Sequence, residues 1–380
     1  MIANFHLFCN SYTNSIHLFT KPFSQKNKFR NKLIFQKIVK PLEKKINMKA
    51  LAKELNISVA TVSKALNDSY EISQPTKRKV LEAAGRLNYT INPYASSLRN
   101  KRSKTIAVIL PEVADNFFSL AINGIQSVAE KKGYHVLIYL SHENFTHEKS
   151  IVAECCTGRV DGVLISVASE TINGDHIVKL QDENIPVVFF DREFENLSVA
   201  KVITNDYECG YLAAAHLIKN GCKNPVFLSV SSCLGICKKR AQGFLAALKD
   251  KKTGHPETAI IECKGTKEED YSQIKKLLND KNSPDGIVTS VERLAISVYL
   301  ACHELNLPIP DALKMVAFST LETAPILNPP LTTIVQPAFD IGKTATELLF
   351  KEIEKKPHNM EHQIVILPSL LIERRSSQIL

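Results

Sequence analysis

The apolar positions of this chain change rhythm twice. Residues 1–46 show no sustained period. From residue 47 to about 90 apolar side chains recur at three- and four-residue spacing in short bursts. Beyond residue 105 they come as continuous runs separated by helical pattern. The middle stretch predicts three short helices. In the first, Met48, Leu51, Ala52 and Leu55 share a face, Asn47 caps the start and Asn56 ends it. Ile57 packs the turn. Ser58 caps the second helix, whose apolar face is Val62, Ala65 and Leu66. The third runs over Ser73–Leu87, with Ser73 as N-cap, Pro75 in the first turn, and Val80, Leu81, Ala84 and Leu87 inward.

Two helices this short, joined by so tight a turn, bury little by themselves, so the third must close the core. Such a pair is a helix-turn-helix candidate. The alternative is an ordinary three-helix cluster with a solvated face, and spacing alone leaves both open. In the first reading the second helix enters a DNA major groove by its N-terminal half. There Val59, Ala60 and Lys64 face away from the apolar stripe, and Thr61 and Ser63 are placed to donate to phosphates. The helix N-terminus adds its own attraction for phosphate.

TIAVILPE reads as a buried parallel strand; YHVLIYLS, VDGVLISV, IPVVFFD and NPVFLSV read as further apolar strands separated by helical pattern, and PDGIVTS and KMVAFST continue the series. NFFSLAINGIQSVAEKKG reads as a helix with a glycine stop. This alternation predicts parallel sheets covered by helices. About 275 residues is large for one such sheet, so two similar lobes are expected, with ligands at the carboxyl ends of strands in the cleft between them.

Charge sharpens this division. Residues 1–46 hold nine Lys and Arg against one acid, residues 47–105 hold eleven against four, and the remainder holds 28 against 34. A basic front on a mildly acidic body fits a polyanion reader joined to something else, or a solvated basic tail. The first 46 residues lack a continuous apolar stretch with a cleavage site; they read as a disordered extension or as sequence upstream of a wrongly assigned start. No uncharged apolar run is long enough for a membrane span. The nine cysteines include no CxxC and read as buried reduced thiols of a cytoplasmic protein.

Three segments then carry a resemblance. ISVATVSKALN, the spaced S-x-x-T-x-x-x-V-L-E-A-A and LNY-x-x-NPYASSLR, dense and ordered over roughly 60 residues, resemble the DNA-binding end of the LacI (lac repressor-like) family of bacterial regulators. The resemblance implies that Val59, Ala60 and Lys64 read bases. It implies that Thr61, Ser63, Asn67, Ser73, Thr76 and Asn92 position the DNA backbone. It makes Tyr94–Arg99 a hinge helix, with Ala95 and a minor-groove wedge at Leu98. Only Lys64 of the base readers has a hydrogen-bonding head; Val59 and Ala60 fit a thymine methyl, which leaves much of the specificity to the hinge and to DNA shape. Without the resemblance, Leu98 reads rather as an exposed linker leucine.

More thinly, PEVADNFF, KKRAQGFLAAL, LNLPIPDALKMVAFST and NPPLTTIVQPAFDIG resemble the family's sensor half, which implies a type I periplasmic-binding-protein fold. Effector contacts carry over to Phe117, Phe118, Asp191, Arg240 and Ser319. Two readings stay open: the phenylalanines stack on a ligand ring or belong to the core, and Asp191 and Arg240 hold ligand or pair with each other. The chain also departs from the family. Val291-Glu292 stands at the usual Asn-Asp, and Ala317-Phe318-Ser319-Thr320 where many members have G-F/Y-D-D. A sugar effector is therefore less expected here than in a typical member, and a different metabolite, or a phosphorylated one held by Arg240, stays open beside it.

No G-x-S-x-G, P-loop or HExxH occurs and the eleven histidines are dispersed, so an enzyme is not expected, nor a cofactor or metal. The expected architecture is α+β multidomain: a disordered or mis-assigned 1–46, a three-helix helix-turn-helix unit at 47–91, a hinge helix and linker at 92–104, and a two-lobed α/β sensor at 105–380. The expected function is a homodimeric repressor of operator DNA under small-molecule control. The rival is a solute-binding protein, which shares the lobes but has no use for a helix-turn-helix.

Overall fold

The structure is a computed structural model, described over residues 46–89, 102–114, 116–354 and 363–378. It divides into two compact units, residues 1–92 and 93–380. The extension 1–45 and the proposed hinge with Asn92, Ala95 and Leu98 lie outside the described residues.

The first unit holds α1 (Met48–Glu54), α2 (Val59–Leu66) and α3 (Gln74–Arg86). Asn47 caps α1 through its side chain and Asn56 takes a left-handed φ of 52° to turn the chain. The Ser58 side chain accepts from the Thr61 amide at the start of α2. Leu51, Ala52, Val62, Ala65, Val80, Ala83 and Ala84 close the core. Leu81 is not inward but 56% exposed. Val80, Ala83, Ala84 and Leu87 already form the i, i+3, i+4, i+7 stripe, and Leu81 lies about 100° off it. Ser73 sits at the N-cap of α3 without capping it; its hydroxyl pairs with that of Thr76 at 3.0 Å.

The second unit alternates strands and helices. Its first lobe contains β1 (Thr105–Leu110), α4 (Asn116–Lys131), β2 (His135–Leu140), α5 (Phe145–Glu154), β3 (Gly162–Ile165), α6 (Asp175–Asp182), β4 (Val187–Phe190) and β5 (Ala200–Thr204). The chain then builds the second lobe with α7 (Asp206–Lys219), β6 (Pro225–Ser229), α8 (Gly235–Lys251), β7 (Ile260–Glu262), α9 (Lys267–Leu278), β8 (Gly286–Thr289), α10 (Glu292–Leu305), β9 (Lys314–Phe318) and β10 (Thr332–Val335). It returns to the first lobe for α11 (Ala338–Glu354) and β11 (Ile364–Leu367), and ends in the second with β12 (Leu370–Ile372).

Among the described residues the sheets run β11-β5-β4-β3-β1-β2 and β12-β10-β9-β8-β6-β7, parallel except for β12. Both faces of each sheet are covered, which is why the central strands read as unbroken apolar runs. In each lobe one helix pair crosses at backbone contact. A Cβ added to Gly243 of α8 would lie 1.9 Å from the Tyr207 carbonyl oxygen of α7, and one on Gly342 of α11 would lie 2.0 Å from that of Ala121 on α4. Only glycine permits such closeness. No helix among the described residues is long and apolar enough to cross a membrane. Of the cysteines, Cys233 is exposed rather than buried, because it lies in the turn ahead of α8.

Candidate functional site

In the helical unit, capping by Ser58 leaves the first turn of α2 standing free. Val59 is 40% exposed, and Ala60 is exposed beside it. Lys64, one turn further, is half-buried and its ammonium pairs with Glu71. Thr61 is half-buried, its hydroxyl 2.8 Å from that of Ser58. Asn67 closes α2 by donating to the Ser63 carbonyl at 2.8 Å. Ser73 and Thr76 sit together at the start of α3. Lys77, which the sequence did not single out, is buried and donates to Asp68 at 2.6 Å, anchoring the loop between α2 and α3.

In the second unit all five expected contact residues line one cavity of about 370 Å³, part of it open to solvent. Each wall residue follows the carboxyl end of a strand. Phe117 and Phe118 open α4 after β1; they meet edge to face at 5.3 Å, belong to the first-lobe core and also line the cavity. Asp191 ends β4. The Arg192 amide donates to the Phe190 carbonyl at 2.7 Å, closing a three-residue turn around Asp191 with φ +60°. That backbone is strained for any residue with a Cβ, and such strain concentrates at functional sites. It turns the carboxylate toward Gln336, which donates to it at 3.2 Å from the crossing between β10 and α11.

Arg240 is 1% exposed. It does not pair with Asp191. Its Nε donates to Asp206 at 2.6 Å and its Nη1 to the Ser290 carbonyl at 2.7 Å. The guanidinium stacks on Phe318 at 4.1 Å from the ring centre. Asp206 wins because the close α7–α8 crossing brings it alongside, a proximity invisible in sequence. Ser319 donates its hydroxyl to Glu292 at 2.8 Å. Arg192, Ile236, Val291, Glu292, Phe318, Thr320 and Gln336 also line the cavity and were not among the expected contacts. Arg192 directly follows Asp191, Gln336 stands in the noted I-x-Q-P segment, and Val291, Glu292, Phe318 and Thr320 lie in the two noted departures, so only Ile236 carried no signal.

Burial pushes the Asp191 carboxyl up to about 6, against the pull of Arg192 and Arg240. Burial would also raise Glu143, but the Arg192 guanidinium, 2.8 and 2.9 Å from its two oxygens, outweighs that and holds it below the usual carboxylate range. Two ties cross between the lobes near the cavity. Lys239 of α8 reaches Glu193 and Glu195 of the β4–β5 loop at 2.9 and 3.0 Å, and Asn116 donates to the Thr320 carbonyl.

Residues 103–373 match the family described as periplasmic binding proteins and sugar binding domain of LacI family, and residues 47–92 match bacterial regulatory proteins, lacI family. The chain belongs to the LacI family of transcription regulators. Among its relatives, the catabolite control protein A of Priestia megaterium is 28% identical over 331 residues, 86% of this chain and 98% of that protein. The ribose operon repressor of Halalkalibacterium halodurans is also 28% identical, over 86% of this chain and 96% of its own length. The lac repressor dimer bound to operator and the anti-inducer ONPF superposes with a TM-score of 0.78 at 22% identity, over 88% of this chain and all of that one. A LacI family regulator from Enterococcus faecium with bound ribose superposes with a TM-score of 0.64 at 25% identity, over 73% and 99%.

Proposed function

We propose that the chain is a cytoplasmic, homodimeric repressor that binds operator DNA through α2 and is controlled by a small polar effector in the inter-lobe cavity. The observation that carries this is the capped, exposed start of α2 in one chain with a cleft where two arginines, a carboxylate and an aromatic pair converge. Val59, Ala60 and Lys64 meet base edges. Thr61, Ser63, Asn67, Ser73 and Thr76 lie along the phosphates, and Asn92, Ala95 and Leu98 complete the contact from the hinge. Two-fold pairing matches a near-palindromic operator. The lac repressor neighbour, solved as a dimer on operator, supports this. Phe117, Phe118, Asp191, Arg240 and Ser319 hold the effector, as the ribose-bound neighbour and the ribose repressor relatives support. No catalytic role is proposed for them.

An electrophoretic shift of DNA from upstream of its own gene tests the reading. Affinity should fall about a thousandfold between roughly 50 and 200 mM salt if some six phosphates are neutralised. A chain that shifts no upstream fragment yet binds a solute tightly would be a solute-binding protein instead.

Lys64 supplies a sharper expectation. Its exposed pair with Glu71 is worth about 0–1 kcal/mol, less than the roughly 1–3 kcal/mol of a good base contact, so DNA displaces Glu71. Lys64→Ala should relax preference at one operator position per half-site in a selection experiment. Equal weakening on every sequence would reassign Lys64 to phosphate.

Asp191 makes effector binding depend on pH. Only the ionised carboxylate accepts from ligand hydroxyls on both oxygens, and its pKa is near 6. Affinity measured calorimetrically should be flat above pH 7 and drop about tenfold per unit below 6. Asp191→Asn should flatten the profile. An affinity that rises on acidification would reverse the role given to Asp191.

A further inference from the structure

Residues 47–89 hold seven Lys and Arg and four acids. Three of the acids tie the helical unit together. Glu54 of α1 pairs with Arg86 of α3, Asp68 pairs with Lys77, and Glu82 pairs with Arg78 one turn away on α3. The fourth, Glu71, pairs with Lys64, the one expected base reader with a hydrogen-bonding head. Both side chains stay exposed, at 42% for Lys64 and 46% for Glu71. An exposed pair of this kind adds little to stability, so the fold does not explain a carboxylate at this place. On a surface that meets phosphates it would also cost affinity by repulsion.

The backbone nevertheless holds Glu71 there. The Ser69 amide donates back to the Lys64 carbonyl at 2.9 Å, and the Ile72 amide donates to the Ser69 carbonyl at 3.2 Å. Lys77 donates to the Asp68 carboxylate at 2.6 Å. Ile72 packs on the core of the unit, and its neighbour Glu71 is left outside, beside Lys64.

Base chemistry gives such a pair a use. In the major groove a G·C pair presents two acceptors, guanine N7 and O6, and then one donor, the cytosine N4 amino group. O6 and N4 share a base-pair hydrogen bond, so they stand about as close as an ammonium and a carboxylate in contact. An ammonium beside a carboxylate is the complement of that row. A T·A pair also sets an acceptor, O4, beside an amino group, but a methyl stands where guanine has N7. A reversed C·G pair sets the carboxylate against O6 and N7, acceptor on acceptor. Rejection of that kind is the second half of specificity.

Resting on the reading of α2 as the base-reading helix, we infer that Lys64 and Glu71 read one G·C pair together, Lys64 donating to the guanine and Glu71 accepting from the cytosine amino group. The two heads hold each other in the free protein and part onto the base pair when DNA arrives. Because their mutual contact is weak, parting costs little.

The test is selection from randomised DNA by the full chain, followed by affinity measurements with each of the four base pairs in turn at every half-site position. Lys64→Ala should relax one position, and Glu71→Ala should relax the same one. In Glu71→Ala the preference for G·C over C·G there should fall about tenfold, while affinity for unrelated DNA rises because a negative charge has gone. The thermal midpoint should not move. The inference is overturned if Glu71→Ala changes binding to every sequence alike, if it relaxes a different position or none, or if the shared position prefers anything but G·C. If Lys64→Ala relaxes a position that Glu71→Ala leaves alone, the inference fails while the reading of α2 stands. If the full chain selects no sequence at all, the reading of α2 fails with it.

Discussion

Replacing Gly243 by alanine should lower the thermal midpoint of the sensor unit by roughly 10 °C and weaken effector binding with it. The added Cβ would lie 1.9 Å from the Tyr207 carbonyl oxygen and 2.8 Å from the Tyr211 amide nitrogen. Both are backbone atoms, so no rotamer relieves the clash and α7 must move away from α8. Overpacking costs about 1–3 kcal/mol even where side chains can yield; against backbone the upper end or more is expected. Each kcal/mol shifts the midpoint by about 2–4 °C in a unit of this size. The same movement would stretch the 2.6 Å contact between Arg240 on α8 and Asp206 at the start of α7. Differential scanning calorimetry with and without ligand checks both effects. An unchanged midpoint would mean that the two helices are not packed as described.

Leu51→Ala should abolish operator binding while leaving the ligand-induced stabilisation of the sensor intact. Leu51 is fully buried in a core of about seven side chains. Its truncation costs about 2–5 kcal/mol. A unit this small has little more than that in hand, so the variant's helices should be largely unfolded. The check is a pair of measurements on one sample: anisotropy of labelled upstream DNA, and the thermal shift on adding effector. Retained DNA binding would mean that α1 is dispensable to the reading surface. Loss of both responses would mean that the two units do not fold separately.

Much of this was legible because the relevant signals are local. The N-cap at Ser58, the Asn56 turn and the spacing of Leu51, Val62 and Val80 lie within thirty residues of one another. The central apolar strands announce themselves because both faces of their sheets are covered, whereas β2 reads as an apolar run although it is an edge strand with Leu137 and Ile138 40% and 44% exposed. The five residues expected to contact an effector also fall together on one cavity wall, four of them near strand ends and Arg240 inside α8. What escaped is long-range or short. Strands β7 and β12 have three residues each, and β11 has exposed alternate positions as an edge strand, so none gives a run. Leu81 is apolar yet exposed, because it stands about 100° off the stripe set by Val80, Ala84 and Leu87. Arg240 finds Asp206 across a helix crossing, and Gln336 reaches Asp191 from 145 residues away. No pattern along the chain encodes those meetings. The two departures from the family, Val291 and Ser319, were legible as substitutions, but the hydrogen bond that Ser319 donates to Glu292 needed the geometry.

Ligand in the cleft and DNA on α2 are expected to act on one equilibrium. Coupling of that kind is reciprocal. Operator affinity of the full chain should therefore be measured with and without saturating effector, and effector affinity with and without operator. The same factor is expected in both directions, roughly 5 to 150. An effector that binds the cleft, weakened by Asp191→Asn, yet leaves operator affinity unchanged would contradict it.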